Sequence, residues 1–156
     1  MQFHIATVGR FGSGPAHAAE RALYERFAER LTPPPVLIEV EEKRPLPVAE
    51  RMRREGQLLL GAVPAGAFVI ALDERGRVLT SVAFAERLGR LRDEGCRQAA
   101  LLIGGADGLD EPVRRTAGLI LSLGAMTWPH LLVRGLVVEQ LFRAQSILAG
   151  HPYHRA

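Results

Sequence analysis

Two short runs without a single polar residue, residues 67–72 and 99–103, constrain this chain more than any other feature. Five or six consecutive apolar residues are too few for a buried helix and mark a strand covered on both faces. Strands of that kind belong to parallel sheets, whose crossover helices shield both sides of the sheet. The flanking pattern agrees. Residues 3–8 are an apolar strand candidate ending at Gly9, and residues 36–40 are a second. Between them, residues 16–31 read as a helix. Ala19, Leu23, Phe27 and Leu31 recur every four residues, while Glu20, Arg21, Glu25, Arg26 and Glu29 take the other face. Thr32-Pro33-Pro34-Pro35 stops that helix, because proline cannot continue the hydrogen-bond ladder.

The rest of the chain repeats this logic. Glu41-Glu42-Lys43-Arg44 with Pro45 and Pro47 marks a loop before a helix over residues 48–60. Asp73-Glu74-Arg75-Gly76 is a turn by composition. Thr80 or Ser81 can cap a helix running to Arg92, with Phe84, Leu88 and Leu91 facing inward. Pro112 suits the first turn of a short helix. Residues 119–123 and 125–126 supply a last strand and its bend, and residues 131–149 form a long helix. This order predicts one α/β domain over residues 1–156, with a mainly parallel sheet and helices on both faces. A chain of 156 residues is long enough to bury a substantial core.

Several function classes drop out. Cys96 is the only cysteine, which leaves no intramolecular disulfide and no zinc-type pairing. No apolar run approaches the roughly 20 residues that span a bilayer. The N-terminus lacks a basic segment ahead of an apolar one, so the expectation is a cytoplasmic protein with no membrane contact. The net charge is +3, and Lys43 is the only lysine among 20 basic residues. Arginine suits phosphate forks and base stacking, but the same bias also follows from a GC-rich genome. The five histidines do not make a metal site: His151 and His154 flank a proline and lack a third ligand. His4 and His17 have no acidic or histidine cluster near them in sequence.

Ligands of open α/β sheets bind beyond the carboxyl ends of the strands. Three such ends stand out: Leu72-Asp73, Gly104-Gly105 and Leu123-Gly124. Glycine there lets a ligand approach the backbone, although turns use glycine for their own conformational reasons too. Gly104-Gly105-Ala106-Asp107-Gly108 is not a dinucleotide fingerprint, and no phosphate-loop lysine accompanies it. An adenosine-containing ligand held by backbone groups remains open.

These residues carry a resemblance. Leu101-Leu102-Ile103-Gly104-Gly105 followed by Gly108-Leu109, Met126-Thr127 followed by Pro129-His130, Arg134 with Glu139-Gln140 and Arg143-Ala144, and the tail Pro152-Tyr153-His154 occur in this order over the whole chain. In that arrangement the sequence resembles the RlmH family. These are SPOUT-class methyltransferases that use S-adenosylmethionine to methylate N3 of a pseudouridine in 23S ribosomal RNA. The pattern departs at Gly12-Ser13-Gly14-Pro15, which puts an RNA contact by that loop in doubt.

The resemblance implies a SPOUT-type fold with a C-terminal trefoil knot and a homodimer. It implies cofactor contacts at Leu72, Gly104, Leu123, Gly124, Ala125, Met126, Thr127 and Trp128, made mostly by backbone groups. The Trp128 ring can equally be a buried core side chain. Candidates for handling the acceptor's proton are His130, Arg134 and His154. Tyr153, His154 and Arg155 are the expected substrate contacts, by base stacking, hydrogen bonding and phosphate binding. The other reading of the tail is that Tyr153 packs into the fold. The partner expected is ribosomal RNA, as the large subunit or the assembled ribosome, with no metal. Leu131, Leu132, Val133, Leu136, Val137, Val138, Leu141, Phe142, Ile147 and Leu148 leave helix 131–149 little polar surface, which fits a dimer or a central helix of a monomer. Glu139 and Arg143 are spaced to pair on it. Two alternatives stay in view: an RNA- or ribosome-binding module without catalysis, and a SPOUT methyltransferase with another RNA acceptor.

Overall fold

The computed structural model describes residues 1–155. In chain order the strands are β1 (Gln2–Val8), β2 (Val36–Val40), β3 (Phe68–Val78), β4 (Gln98–Ile103) and β5 (Leu119–Ser122). The helices are α1 (Ala18–Ala28), α2 (Val48–Gly61), α3 (Ser81–Asp93), α4 (Glu111–Thr116) and α5 (His130–Leu148). The five strands form one sheet in the order β2-β1-β4-β3-β5, every pair parallel. The expected α/β architecture is the one observed.

Alternation along the strands builds two cores. Phe3 and Ile5 of β1, with Ala99, Leu101 and Ile103 of β4, face a layer formed by α1, α3 and α5. Ala6 and Val8, with Ala100 and Leu102, face α2 and α4. Ile5, Ile70, Leu101 and Leu102 have no solvent exposure, and each such side chain contributes about 1.5–3 kcal/mol of burial. The two polar-free runs are therefore apolar because each residue meets one core or the other.

Helix ends follow their local chemistry. The Thr80 hydroxyl accepts the Ala83 amide and caps α3, and Asp110 caps α4 ahead of Pro112. The first helix is shorter than expected. A 3-10 turn at Pro15–His17 precedes it, and regular α-helix ends at Ala28, although Leu31 is still buried beneath it.

Two expectations need correction. Residues 73–76 do not end the third strand. Leu121 is opposite both Leu72 and Arg77, so the four residues between form an arch and β3 then resumes on the same neighbour. Composition gave the local bend but not the return, which depends on β5. A Cβ on Gly76 would lie 2.7 Å from the Ile120 carbonyl, so the returning chain needs glycine there. Trp128 is not a core side chain: it is 42% exposed, with Met126 75% exposed beside it in sequence.

Most of the α5 surface is covered by its own chain. It lies between α1 and α3 against the sheet, with Gly135 against Leu23 and Gly89 of α3 against Leu148. Of its apolar residues, only Leu148 is a large side chain left exposed.

Candidate active site

The carboxyl ends of β4 and β5 and the break in β3 after Leu72 converge on a cleft of about 270 Å³. One wall is Leu72 with the arch 73–76, a second is the loop 104–109, and the third comes from residues 121–128. The three ends picked out in sequence thus meet in one place. Leu72, Gly104, Leu123, Gly124, Met126, Thr127 and Trp128 line the cleft, and Ala125 does not. His130, the first residue of α5, closes the rim.

The glycines of this site act differently from one another. A Cβ on Gly104 would sit 2.6 Å from the Gly108 carbonyl oxygen. The space that sequence reasoning reserved for a ligand is filled by the loop's own backbone. Gly108 turns at φ +85°, which folds the loop back on itself. Gly124 has φ +112° with open space beside it, and Ser122 receives its amide N–H at 3.2 Å. Gly124 and Gly108 have open space where a side chain would stand, whereas Gly104 does not.

The candidate proton-handling residues separate. His130 stands at the cleft, its pKa held below the ordinary 6.5 by burial, then by the positive charges of Arg134 and His17. His17 was ordinary by sequence, and only the fold brings it near His130. Arg134, one turn on, has no solvent exposure and does not line the cleft. Its guanidinium donates to the carbonyls of Val8 (2.9 Å) and Gly9 (3.0 Å) and to Glu39 (2.8 Å). It also lies 4.5 Å from the centre of the Phe11 ring, whose amide N–H donates to the same Glu39 oxygen. Arg134 therefore ties the ends of β1 and β2 to α5.

The tail lies elsewhere, against the C-terminal half of α5. The Tyr153 hydroxyl donates to Glu139 at 3.0 Å, and its ring meets Phe142 edge-on at 4.7 Å. Arg30 stacks at 4.0 Å over Phe142 and 5.1 Å over Tyr153. Arg143 pairs with Glu139 as the spacing suggested, and sits 3.3 Å from His154 Nδ1. Tyr153 is thus packed into the fold, and within this chain neither it nor His154 lines the cleft; Arg155 is exposed. Among the described residues no group of three His, Cys, Asp or Glu side chains is placed to hold a metal ion. No helix among them is long and apolar enough to cross a membrane.

A parallel sheet with a cleft at its strand ends, rimmed by a glycine-folded loop, is where α/β folds of this kind bind small molecules. A family model described as predicted SPOUT methyltransferase matches residues 1–154, and the chain belongs to that family. Three curated relatives carry the name ribosomal RNA large subunit methyltransferase H. The one from Paramagnetospirillum magneticum is 56% identical over 99% of both chains. Those from Rhodospirillum centenum and Rhodospirillum rubrum are 54% and 52% identical, each over 100% of both chains.

Proposed function

We propose that this chain transfers a methyl group from S-adenosylmethionine to N3 of a pseudouridine in the 23S ribosomal RNA of the large subunit. The observation that carries the reading is the convergence of Leu72, Gly104 and residues 123–128 on one cleft. Its walls suit an adenosine-containing sulfonium. Backbone amides and carbonyls of the second and third walls can take adenine and ribose, and the exposed Glu74 borders the cleft as a partner for the ligand's positive groups, whereas Asp73 and Asp107 are engaged by arginines. When bound, the cofactor supplies an electrophilic methyl carbon, and in-line placement of the acceptor supplies much of the rate.

The acceptor imide must lose its N3 proton as the new N–C bond forms. His130 is the residue of this chain best placed to accept it, because burial and its cationic neighbours favour the neutral imidazole. Arg134 is a positioning residue in this reading. It fixes the chain beyond β1 beside His130 and contributes positive potential. Tyr153 anchors the tail on α5 in this reading, and a substrate contact by His154 or Arg155 would be made at a partner subunit's cleft.

A homodimer is part of this reading. The face that supports it is an apolar groove between α3, α5 and β5, lined by Val78, Phe84, Leu136 and Trp128. Val78 is 70% exposed there, with Val82 at 39% on the first turn of α3. A cytoplasmic location belongs to the same reading, because ribosomal RNA is its substrate.

The test pairs calorimetric titration of S-adenosylmethionine with mass spectrometry of 23S RNA from a strain lacking the gene. Binding, and a missing N3-methylpseudouridine restored by the gene, are expected. Absence of cofactor binding would leave an RNA-binding module, and a methyl missing from another nucleotide would change the acceptor.

A further inference from the structure

Two walls of the cleft are not joined by main-chain pairing. The β3–β4 ladder ends at Leu72 opposite Ile103, and β3 rejoins β5 only at Arg77. Between those points the arch 73–76 and the loop 104–109 face each other across the cleft with no shared strand register. A single side chain from outside the cleft spans them.

That side chain is Arg114 of α4, a residue that no sequence motif marks. Its Nη1 donates to the Leu109 carbonyl at the end of the loop, and lies 3.4 Å from the Asp73 carboxylate at the start of the arch. Its Nε and Nη2 bind Glu111 at 3.1 and 2.6 Å, which orients the guanidinium and balances its charge. The Asp73 side chain is 5% exposed and that of Arg114 16%, so water screens this contact little. Asp73 is further held by the Arg75 amide at 2.9 Å and the Arg75 Nε at 3.0 Å. Burial would raise the Asp73 pKa, yet the Arg75 hydrogen bonds and the charges of Arg75 and Arg114 bring it below the ordinary carboxylate value, so it faces Arg114 as an anion. The loop has a second pin: Arg51 of α2 holds Asp107 at 2.5 Å, but that contact reaches only one wall.

We propose that Arg114 is a positioning residue for the cofactor: by holding the Asp73 carboxylate and the Leu109 carbonyl together, its guanidinium sets the width of the cleft. The inference rests on the reading of the cleft as the S-adenosylmethionine site. A guanidinium does this better than a lysine ammonium, because its Nη1 meets both acceptors while its Nε and Nη2 edge is held in plane by Glu111.

The experiment compares the full-length protein with Arg114→Gln, Arg114→Lys, Asp73→Asn and the Arg114→Gln/Asp73→Asn pair. S-adenosylmethionine affinity is measured by calorimetry, and amide hydrogen exchange of the 104–109 loop without cofactor. Arg114→Gln should weaken affinity on the order of tenfold, raise KM more than it lowers kcat, and speed exchange in the loop while the melting transition stays cooperative. The pair should lose no more than the worse single variant, because both remove one clamp. Arg114→Lys should recover part of the loss. A cooperatively folded Arg114→Gln protein with native affinity and native loop exchange would overturn the proposal, as would additive losses in the pair. If the unaltered protein binds no S-adenosylmethionine, the cofactor reading fails instead, and the exchange comparison still decides whether Arg114 holds the loop.

Discussion

Charge placement around His130 gives the sharpest residue-level expectation. The folded protein keeps this imidazole neutral below its ordinary pKa of 6.5, whereas the unfolded chain takes up the proton there. Its contribution to stability therefore falls as pH drops below 6.5, because the unfolded state then binds more protons. If His130 accepts the imide proton, His130→Gln should lower kcat about 100-fold or more and abolish the acid limb of the pH profile. His17→Gln removes one of the neighbours that lower the His130 pKa and should move that limb to higher pH. Paired profiles of kcat/KM against pH check both, and an unmoved limb in His17→Gln with an intact limb in His130→Gln would remove the histidine from the reaction. Sequence order alone could not separate His130 from Arg134, since both sit on one helix face one turn apart. Their roles diverge because Val8, Gly9 and Glu39, remote in sequence, claim the guanidinium. Tyr153 was open between stacking and packing for the same reason: Arg30 and Phe142, which enclose it, come from other elements.

Loops and strand ends carry the next expectation. Gly104→Val places a branched side chain on the Gly108 carbonyl, so the variant must distort the loop and not merely block a ligand. A stability loss of about 1–3 kcal/mol is expected, typical of overpacking, together with loss of cofactor binding. Thermal unfolding and calorimetry on the same preparation test this, and native stability with lost binding would restore the simpler idea of a ligand pressed against the glycine. The strand and helix pattern was legible because each element shows its own periodicity: β4 is apolar from Ala99 to its end, and α1 repeats its apolar positions every four residues. The arch 73–76 was legible only as a bend. Its composition is that of a turn, and the pairing of Arg77 and Val78 with β5 depends on a strand more than 40 residues later.

At the scale of the molecule, the open question is what covers the α3–α5–β5 groove. An apolar surface of this kind, flanked by Val78 and Trp128, is expected to meet a second copy. Val78→Asp lies on an exposed position, so it should leave the fold intact and shift light scattering from dimer toward monomer, with methylation falling in step if the tail serves the partner's cleft. A native protein that scatters as a monomer at micromolar concentration, with full activity, would refute the dimer. From sequence, the whole apolar girth of α5 pointed to a partner; the fold narrows that inference, because α1, α3 and the sheet already bury most of it.

The sheet order has a consequence for how the chain comes to be folded. β1 leaves the ribosome before the other strands of the sheet, yet it is an inner strand whose second neighbour, β4, begins at Gln98. Until then one edge of Phe3, Ile5 and their neighbours has no strand to pair with, and no hairpin offers a local substitute. Parallel pairings of such sequence separation form slowly and leave apolar edges exposed meanwhile. The nascent chain thus carries β1 with one edge unpaired until β4 has been made.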